Sequence, residues 1–325
     1  MRVGNQTQLL EVKNVKKHFP VKGGIFQRPK SFVKAVNGVD LTVFEGETLG
    51  IVGESGCGKS TLGRVLIGLE KLTEGTIYFN EESIGDLPER KLKKYKKNLQ
   101  MIFQDPFASL NPRQKIGDAL EEVFIIHSEL NKSERKSQVQ SLLKEVGLKE
   151  EHYDRYPREF SGGQRQRVGI ARALALNPSL IVCDEAVSAL DVSVQAQVMK
   201  LLKSLQNKYH LTYLFISHDL GVVRYMSDRV LVMYLGAQVE LGDSQQIYNN
   251  PLHPYTRALL SAIPRSKPKQ KRERIKLKGD LPSASDYPTG CPFHTRCPIA
   301  QDYCAEVIPE WREIEENHFV ACHEV

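Results

Sequence analysis

Gly53-Glu54-Ser55-Gly56-Cys57-Gly58-Lys59-Ser60, followed by Thr61, has the residue types and spacing of a loop that wraps a phosphate. Glycines let successive backbone N–H groups curl inward around an anion with no Cβ in the way. Lys59 is placed to reach terminal phosphates, and the Ser60 hydroxyl to sit on Mg²⁺. A second group of residues complements the first. Asp184 and Glu185 follow the apolar run Leu180-Ile181-Val182-Cys183, so a strand delivers two carboxylates at its C-terminal end. Asp184 suits Mg²⁺, and Glu185 suits orienting and deprotonating an attacking water. Ser161-Gly162-Gly163-Gln164 reads as a capped helix start that approaches another surface closely and offers bare amides to a second anion. His218, read alone at a strand end, is a structural histidine.

These groups need strands and helices behind them. Thr48 to Val52 is the strand before the loop, and Leu62 to Leu69 continues as the helix whose positive end faces the anion. Leu9–Val15 and Lys34–Val43 read as earlier strands, with a loop-like insertion between them over Val21–Ser31. Thr76–Phe79 and Leu99–Phe103 are further strands. Gln114 to Gly147 has helical periodicity, and so do Ser161 to Leu176 and Val192 to Tyr209. Thr212–Ile216 is apolar throughout, as a buried parallel strand is, whereas Val230–Tyr234 and Gln238–Leu241 read as edge strands. The order predicts an α/β fold: a parallel-sheet core with a helical insert at about residues 105–175. After Pro251 the prolines multiply, a helix is expected over Tyr255–Ala262, and a small cysteine-bearing tail ends the chain.

A length of 325 residues accommodates one large domain or two ordinary ones. No charged-then-apolar leader opens the sequence and no stretch of eighteen apolar residues is present, so nothing is expected to span a bilayer. The net charge of +6 is modest and partly local, with eight basic residues against Glu273 between Arg265 and Lys278. That run reads as a solvated linker, or as a contact for anionic lipid or nucleic acid; the overall charge argues for no nucleic-acid partner. Four of the six cysteines, Cys291, Cys297, Cys304 and Cys322, lie in the last 35 residues, with gaps of five, six and seventeen. Such wide gaps suit a thiolate-bound [4Fe–4S] cluster better than zinc, which prefers ligand pairs two to four residues apart. Zinc, with His294 or His323, and free or disulfide thiols are the other readings.

Phe160-Ser161-Gly162-Gly163-Gln164 resembles the signature motif of ATP-binding-cassette (ABC) ATPases, and further motifs extend the resemblance over nearly the whole chain. It implies a P-loop NTPase core with an antiparallel β subdomain and a helical subdomain, binding ATP and Mg²⁺. Gln104 matches the glutamine loop, Asp191 in Ser188-Ala189-Leu190-Asp191 the D-loop, His218 the switch histidine that contacts γ-phosphate, and Phe19 the aromatic that stacks on adenine, with Phe26 or Phe32 as alternatives. The implied Mg²⁺ ligands are Ser60, Gln104 and Asp184; the implied catalytic set is Glu185, His218, Gln104 and Lys59. Two departures, Phe160 for the usual Leu and Ala186 where Pro is frequent, touch no reacting group.

His253-Pro254-Tyr255-Thr256-Arg257-Ala258-Leu259-Leu260 and the cysteine tail resemble ATP-binding subunits of oligopeptide and dipeptide importers. Ser60-Thr61-Leu62-Gly63-Arg64 and Ala108-Ser109-Leu110-Asn111-Pro112-Arg113 look like the F-type member of the D/F pair. The implied organisation is a nucleotide-binding domain over residues 1–250 and an extension over 251–325, whose cysteines hold a [4Fe–4S] cluster in relatives. The implied partners are a D-type ATP-binding subunit in a head-to-tail dimer, two membrane permeases that dock near the helical insert, and, through them, an extracytoplasmic peptide-binding protein. The implied location is the cytoplasmic face of the membrane. Nickel or another small solute as cargo, a soluble ABC ATPase outside transport, and a non-hydrolysing regulatory ATP-binding module are the alternatives.

Overall fold

The computed structural model describes residues 7–21, 31–105, 110–263, 275–277 and 279–325. It divides into two compact units, Met1–Leu87 with Ser217–Val325, and Pro88–Ile216. Phe26, Ala108, Ser109 and most of the basic run from Arg265 fall outside the described residues.

The first unit contains two sheets. One is antiparallel, in the order Ser31–Phe44, Gln8–Val21, Glu74–Phe79, Glu82–Ser83. Its two long strands pair from Gln8–Phe44 to Val21–Ser31, with Phe19 opposite Val33. The other sheet pairs Thr48–Val52 in parallel with Arg229–Tyr234, which pairs antiparallel with Ala237–Asp243. Thr48–Val52 is buried at every position, as its unbroken apolar character requires of a strand covered on both faces.

Neither of the last two strands is an edge, contrary to the sequence expectation. Arg229–Tyr234 is flanked on both sides, and the chain's own tail returns as His318–Val320 to pair with Glu240 and Leu241. Arg312–Glu315 then closes a hairpin onto it. Adding a strand to a formed sheet satisfies the backbone of a tail too short to bury a core of its own. The added strand is tied to the sheet by a buried polar knot around Glu240, which is fully buried. Its carboxylate accepts from the N–H groups of Leu252 (2.7 Å) and His253 (2.9 Å) and lies 2.8 Å from His318 Nε2. Removing any one partner would strand a buried charge or amide, so the knot specifies one docking register.

In the second unit, Leu99–Ile102, Leu180–Asp184 and Thr212–Ile216 form a parallel array with Leu180–Asp184 in the middle. The helical insert is two helices rather than one continuous pattern. Ile116–His127 stops before Ser128, and Lys132–Glu145 begins at a capping box. Asn131 Oδ1 accepts from Glu134 N–H at 3.1 Å, and Glu134 Oε2 accepts from Asn131 N–H at 2.7 Å. An asparagine whose side chain satisfies an orphan amide makes starting a new helix cheaper than continuing the old one. The next helix, Gly162–Leu174, ends slightly before the expected Leu176, ahead of Asn177 at φ 49° and Pro178.

Candidate functional site

In the first unit the loop from Gly53 to Gly58 joins the buried strand Thr48–Val52 to the helix Lys59–Leu66. Gly58 caps that helix at φ +100°, and its carbonyl accepts from Leu62 N–H at 2.8 Å. Ser60 and Thr61 lie in the first helical turn, while Ser55 and Gly56 are exposed at the loop's tip. Lys59 is buried, and its ammonium donates to the loop carbonyls of Gly53 (2.8 Å) and Glu54 (2.9 Å). A terminal phosphate competes for that same ammonium with a full negative charge. Cys57 is buried beside it, and burial pushes its thiol pKa up, so it is a packed group rather than a nucleophile.

His218 lies in the same unit, exposed, between two fixed neighbours. Ser217 N–H donates to Ile51 O at 3.2 Å, and Asp219 Oδ1 caps the helix Leu220–Met226 by accepting from Gly221 N–H (2.8 Å) and Val222 N–H (3.2 Å). Phe19 is half-buried with the Lys17 ammonium 4.7 Å from its ring centroid, and Phe32 is exposed.

In the second unit Asp184 ends its strand with only 3% of its surface exposed. Glu185 follows at φ +47°, a left-handed conformation uncommon for a glutamate and typical of residues held at functional positions. Hydrogen bonds from both its backbone and its side chain hold it there. Glu185 N–H donates to Ile216 O at 3.0 Å, Glu185 O accepts from Ser188 Oγ at 2.9 Å, and Glu185 Oε2 accepts from Gln104 Nε2 at 2.8 Å. The two residues, 81 positions apart in sequence, are therefore brought together.

Ser161 and Gln164 form a reciprocal capping box: Ser161 Oγ accepts from Gln164 N–H, and Gln164 Oε1 accepts from Ser161 N–H at 2.9 Å. At Gly163 a Cβ would meet Val194 Cγ1 at 2.4 Å, so close packing against the helix Val192–Tyr209 explains that glycine. Asp191 sits at this helix's N-cap position without a side-chain capping bond, and is exposed. Gln104, Gly162, Ala186 and Leu190 share a cavity of about 160 Å³. That is too small for a whole nucleotide, which needs several hundred Å³. The two departures from the family pattern are packing residues: Phe160 is buried edge-on to His152 and Ala186 is buried.

The four tail cysteines form no disulfide with one another; three are buried and Cys297 is half-buried. Ionisation of Cys291 is opposed by ionisation of each of the other three, as expected of thiols in one small lobe, where Cys291 N–H donates to Cys304 O at 2.8 Å. Burial pushes the Cys291 thiol up to about 11 and raises Cys297 and Cys322 as well. Among the described residues no three His, Cys, Asp or Glu side chains are placed so that they could hold a metal ion. His294 Nδ1 lies 2.8 Å from Cys291 O and His323 Nε2 3.0 Å from Val307 O.

Sequence reasoning missed the residues that grip the phosphate loop from behind. Tyr255 Oη accepts from Glu54 N–H at 2.8 Å, and Arg296 makes a two-pronged ion pair with the Glu54 carboxylate. No local pattern announces a contact between positions 242 residues apart.

A family profile described as "ABC transporter" matches residues 36–188, and one described as "Oligopeptide/dipeptide transporter, C-terminal region" matches 239–304. The chain is 58% identical over 326 residues to the oligopeptide transport ATP-binding protein AppF of Bacillus subtilis, covering 99% of each chain. It is 50% identical to the dipeptide transport ATP-binding protein DppF of Escherichia coli, covering 98% of this chain and 95% of that one. Among solved structures, it is similar to the ATP-binding cassette MJ0796 in a dimeric post-hydrolysis state bound to ADP and Pi. That match has a TM-score of 0.65 at 30% identity, covering 73% of this chain and 99% of the other.

Proposed function

The chain belongs to the ABC transporter family, among the oligopeptide and dipeptide transport ATP-binding proteins, and from this premise we propose that it hydrolyses ATP to power peptide import through membrane permeases. The observation that carries the catalytic reading is the Gln104–Glu185 hydrogen bond beside the buried Asp184 carboxylate. It holds an acceptor for a water proton where a strand end meets the glutamine loop.

In this reading the loop amides from Gly53 to Thr61 and the Lys59 ammonium bind the phosphates, and Phe19 stacks on the adenine. Ser60, Gln104 and Asp184 supply hard oxygen donors that fit Mg²⁺, which would neutralise phosphate charge. Glu185 takes the proton of the attacking water and His218 steadies the γ-phosphate. Ser161-Gly162-Gly163-Gln164 and Asp191 serve the nucleotide of a second, D-type subunit in a head-to-tail dimer. Closing and reopening of that dimer is the two-state element that drives the permeases. A polar cavity of about 530 Å³ in the helical insert, lined by Asn111, Arg113, Gln114, Asp118 and Glu122, supports docking of a permease segment there. Among the described residues no helix is long and apolar enough to cross a membrane, which fits a peripheral subunit at the cytoplasmic face served by a peptide-binding protein outside. Residues 1–250 form the nucleotide-binding region, with the helical subdomain at about 105–175, and 251–325 the extension.

The assembled complex in proteoliposomes is expected to accumulate a labelled oligopeptide only when Mg-ATP is present. Accumulation of nickel instead, or binding of ribosomes with no peptide transport, would overturn the cargo assignment.

Cys291, Cys297, Cys304 and Cys322 offer an all-thiolate set in one small lobe, the donor chemistry of a [4Fe–4S] cluster, which would draw together side chains that do not stand in a metal-holding arrangement and would staple a tail with little core. The raised pKa values of Cys291, Cys297 and Cys322 mean that a cationic metal centre must displace their thiol protons. Anaerobically purified protein is expected to be brown, with a visible absorbance band that Cys304→Ser removes. Zinc in place of iron in the wild-type protein, by elemental analysis, would sink the cluster.

A further inference from the structure

Glu54, the second residue of the phosphate loop, is held through all three of its polar groups. Its N–H donates to Tyr255 Oη at 2.8 Å, its carbonyl accepts from Lys59 Nζ at 2.9 Å, and its carboxylate takes both prongs of Arg296, at 2.6 Å from Nη1 and 3.1 Å from Nη2. Two of these three partners come from the far end of the chain. We infer that Tyr255 and Arg296 are positioning residues for the phosphate loop, which makes the C-terminal extension a working part of the nucleotide site. The inference rests on the ATP reading given above and deepens it.

An exposed ion pair would contribute little, because water and side-chain entropy compete with it. This pair differs on both counts. The Arg296 side chain is 8% exposed and Glu54 29%, and the planar fork meets the carboxylate in the geometry that gives strong, directional bonding. The arginine is also anchored from below. It closes the short turn His294–Arg296, donating its N–H to Phe293 O at 3.0 Å. The Phe293 ring is buried edge-on to Tyr234 with centroids 5.1 Å apart, and tilted against Tyr255 at 5.4 Å and His253 at 5.5 Å. Burial lowers the His253 pKa to about 4, so the ring stays neutral and its Nδ1 accepts from Tyr255 N–H at 3.1 Å. Tyr255 is thereby fixed at the start of the helix Pro254–Ser261 with its hydroxyl aimed at the loop. One aromatic cluster thus carries both gripping groups.

The clamp bears on nucleotide binding in two ways. It fixes the orientation of the Glu54 peptide, and with it the carbonyl that shares the Lys59 ammonium with Gly53 O. It also neutralises a carboxylate that lies on the loop meant to receive phosphates. Without Arg296 that carboxylate repels the incoming anion. Cys297 follows Arg296 directly, so whatever closes the cysteine lobe also steadies the base of the arginine.

The test is a double-mutant cycle on the full-length chain in its complex, reading ATP KM, kcat and the Mg-ATP Kd. Arg296→Met keeps the buried stem and removes the fork. It is expected to raise KM and Kd about tenfold with kcat within about twofold, the pattern of lost ground-state binding. Arg296→Lys, which restores the charge without the fork, is expected to recover part of the loss. In a Glu54→Ala background the effect of Arg296→Met should shrink to less than about twofold, because the partner is already gone. An unchanged KM in Arg296→Met overturns the inference. So does the same fold-change in both backgrounds together with a lowered melting temperature, which would mean that Arg296 only holds the tail. Wild-type protein that binds no Mg-ATP would overturn the ATP reading itself, and the clamp with it.

Discussion

Glu185→Gln is expected to lower ATP turnover in the assembled transporter by about 10²- to 10⁴-fold, the usual worth of a positioned general base, while Mg-ATP still binds. The geometry allows such a clean separation. Glu185 stands at φ +47°, held by its N–H to Ile216 O and by Ser188 Oγ to its own carbonyl, and none of these bonds uses the side chain. Ala186 and Val187, which follow it, are 2% and 1% exposed and lock the turn into the interior. Glutamine has the same shape and keeps the same backbone, and its amide oxygen still accepts from Gln104 Nε2. What disappears is a charged oxygen able to take a proton. The measurement is steady-state ATP hydrolysis beside nucleotide affinity. Wild-type turnover in Glu185→Gln would overturn the catalytic assignment.

The parts of this protein that the sequence makes legible are those whose chemistry is written in adjacent residues. The loop from Gly53 to Ser60 needs glycines and a lysine at fixed offsets, because backbone amides must point one way within a few residues. Leu180 to Glu185 needs an apolar run ending in acids, because a buried strand must surface where ligands bind. Ser161 and Gln164 cap one helix start by a three-residue rule. What stays hidden depends on chain return. Ala237–Asp243 has the composition of an edge, and only the tail strand His318–Val320, arriving 75 or more residues later, covers it. The break between Ile116–His127 and Lys132–Glu145 is a nearer miss, since Asn131 and Glu134 carry the capping-box spacing inside an otherwise helical pattern. Arg296 and Tyr255 lie furthest out of reach. An arginine in a cysteine-bearing tail and a tyrosine after a proline suit ordinary surface and packing roles until folding places both against Glu54.

Gly58→Ala is expected to weaken ATP binding by about 10²-fold or more, because it displaces the loop by the distance at which oriented contacts fail. Two independent constraints act at this residue. Its φ of +100° is open to glycine and costly for any residue with a Cβ. The added Cβ would also stand 2.0 Å from Ala35 O and 3.5 Å from Gly236 Cα. Neither neighbour can yield. Ala35 lies within the long strand Ser31–Phe44 between Lys34 and Val36, which pair with His18 and Lys17 of Gln8–Val21. Gly236 is tied on both sides, its N–H donating to Cys57 O at 2.9 Å and its carbonyl accepting from Asn37 N–H at 2.8 Å. The strain therefore falls on the loop itself, and first on the start of the helix that carries Lys59, Ser60 and Thr61. Gly56 supplies the comparison. It has φ +80° but nothing within 4 Å of a built Cβ, so Gly56→Ala meets the conformational penalty alone, about 1–2 kcal/mol. A thermal melt and a Mg-ATP titration of the two variants separate the effects: Gly58→Ala is expected to melt lower than Gly56→Ala and to lose more affinity. If Gly58→Ala bound nucleotide as wild type does, the loop would have to tolerate a shift that its packing against Ala35 and Gly236 forbids.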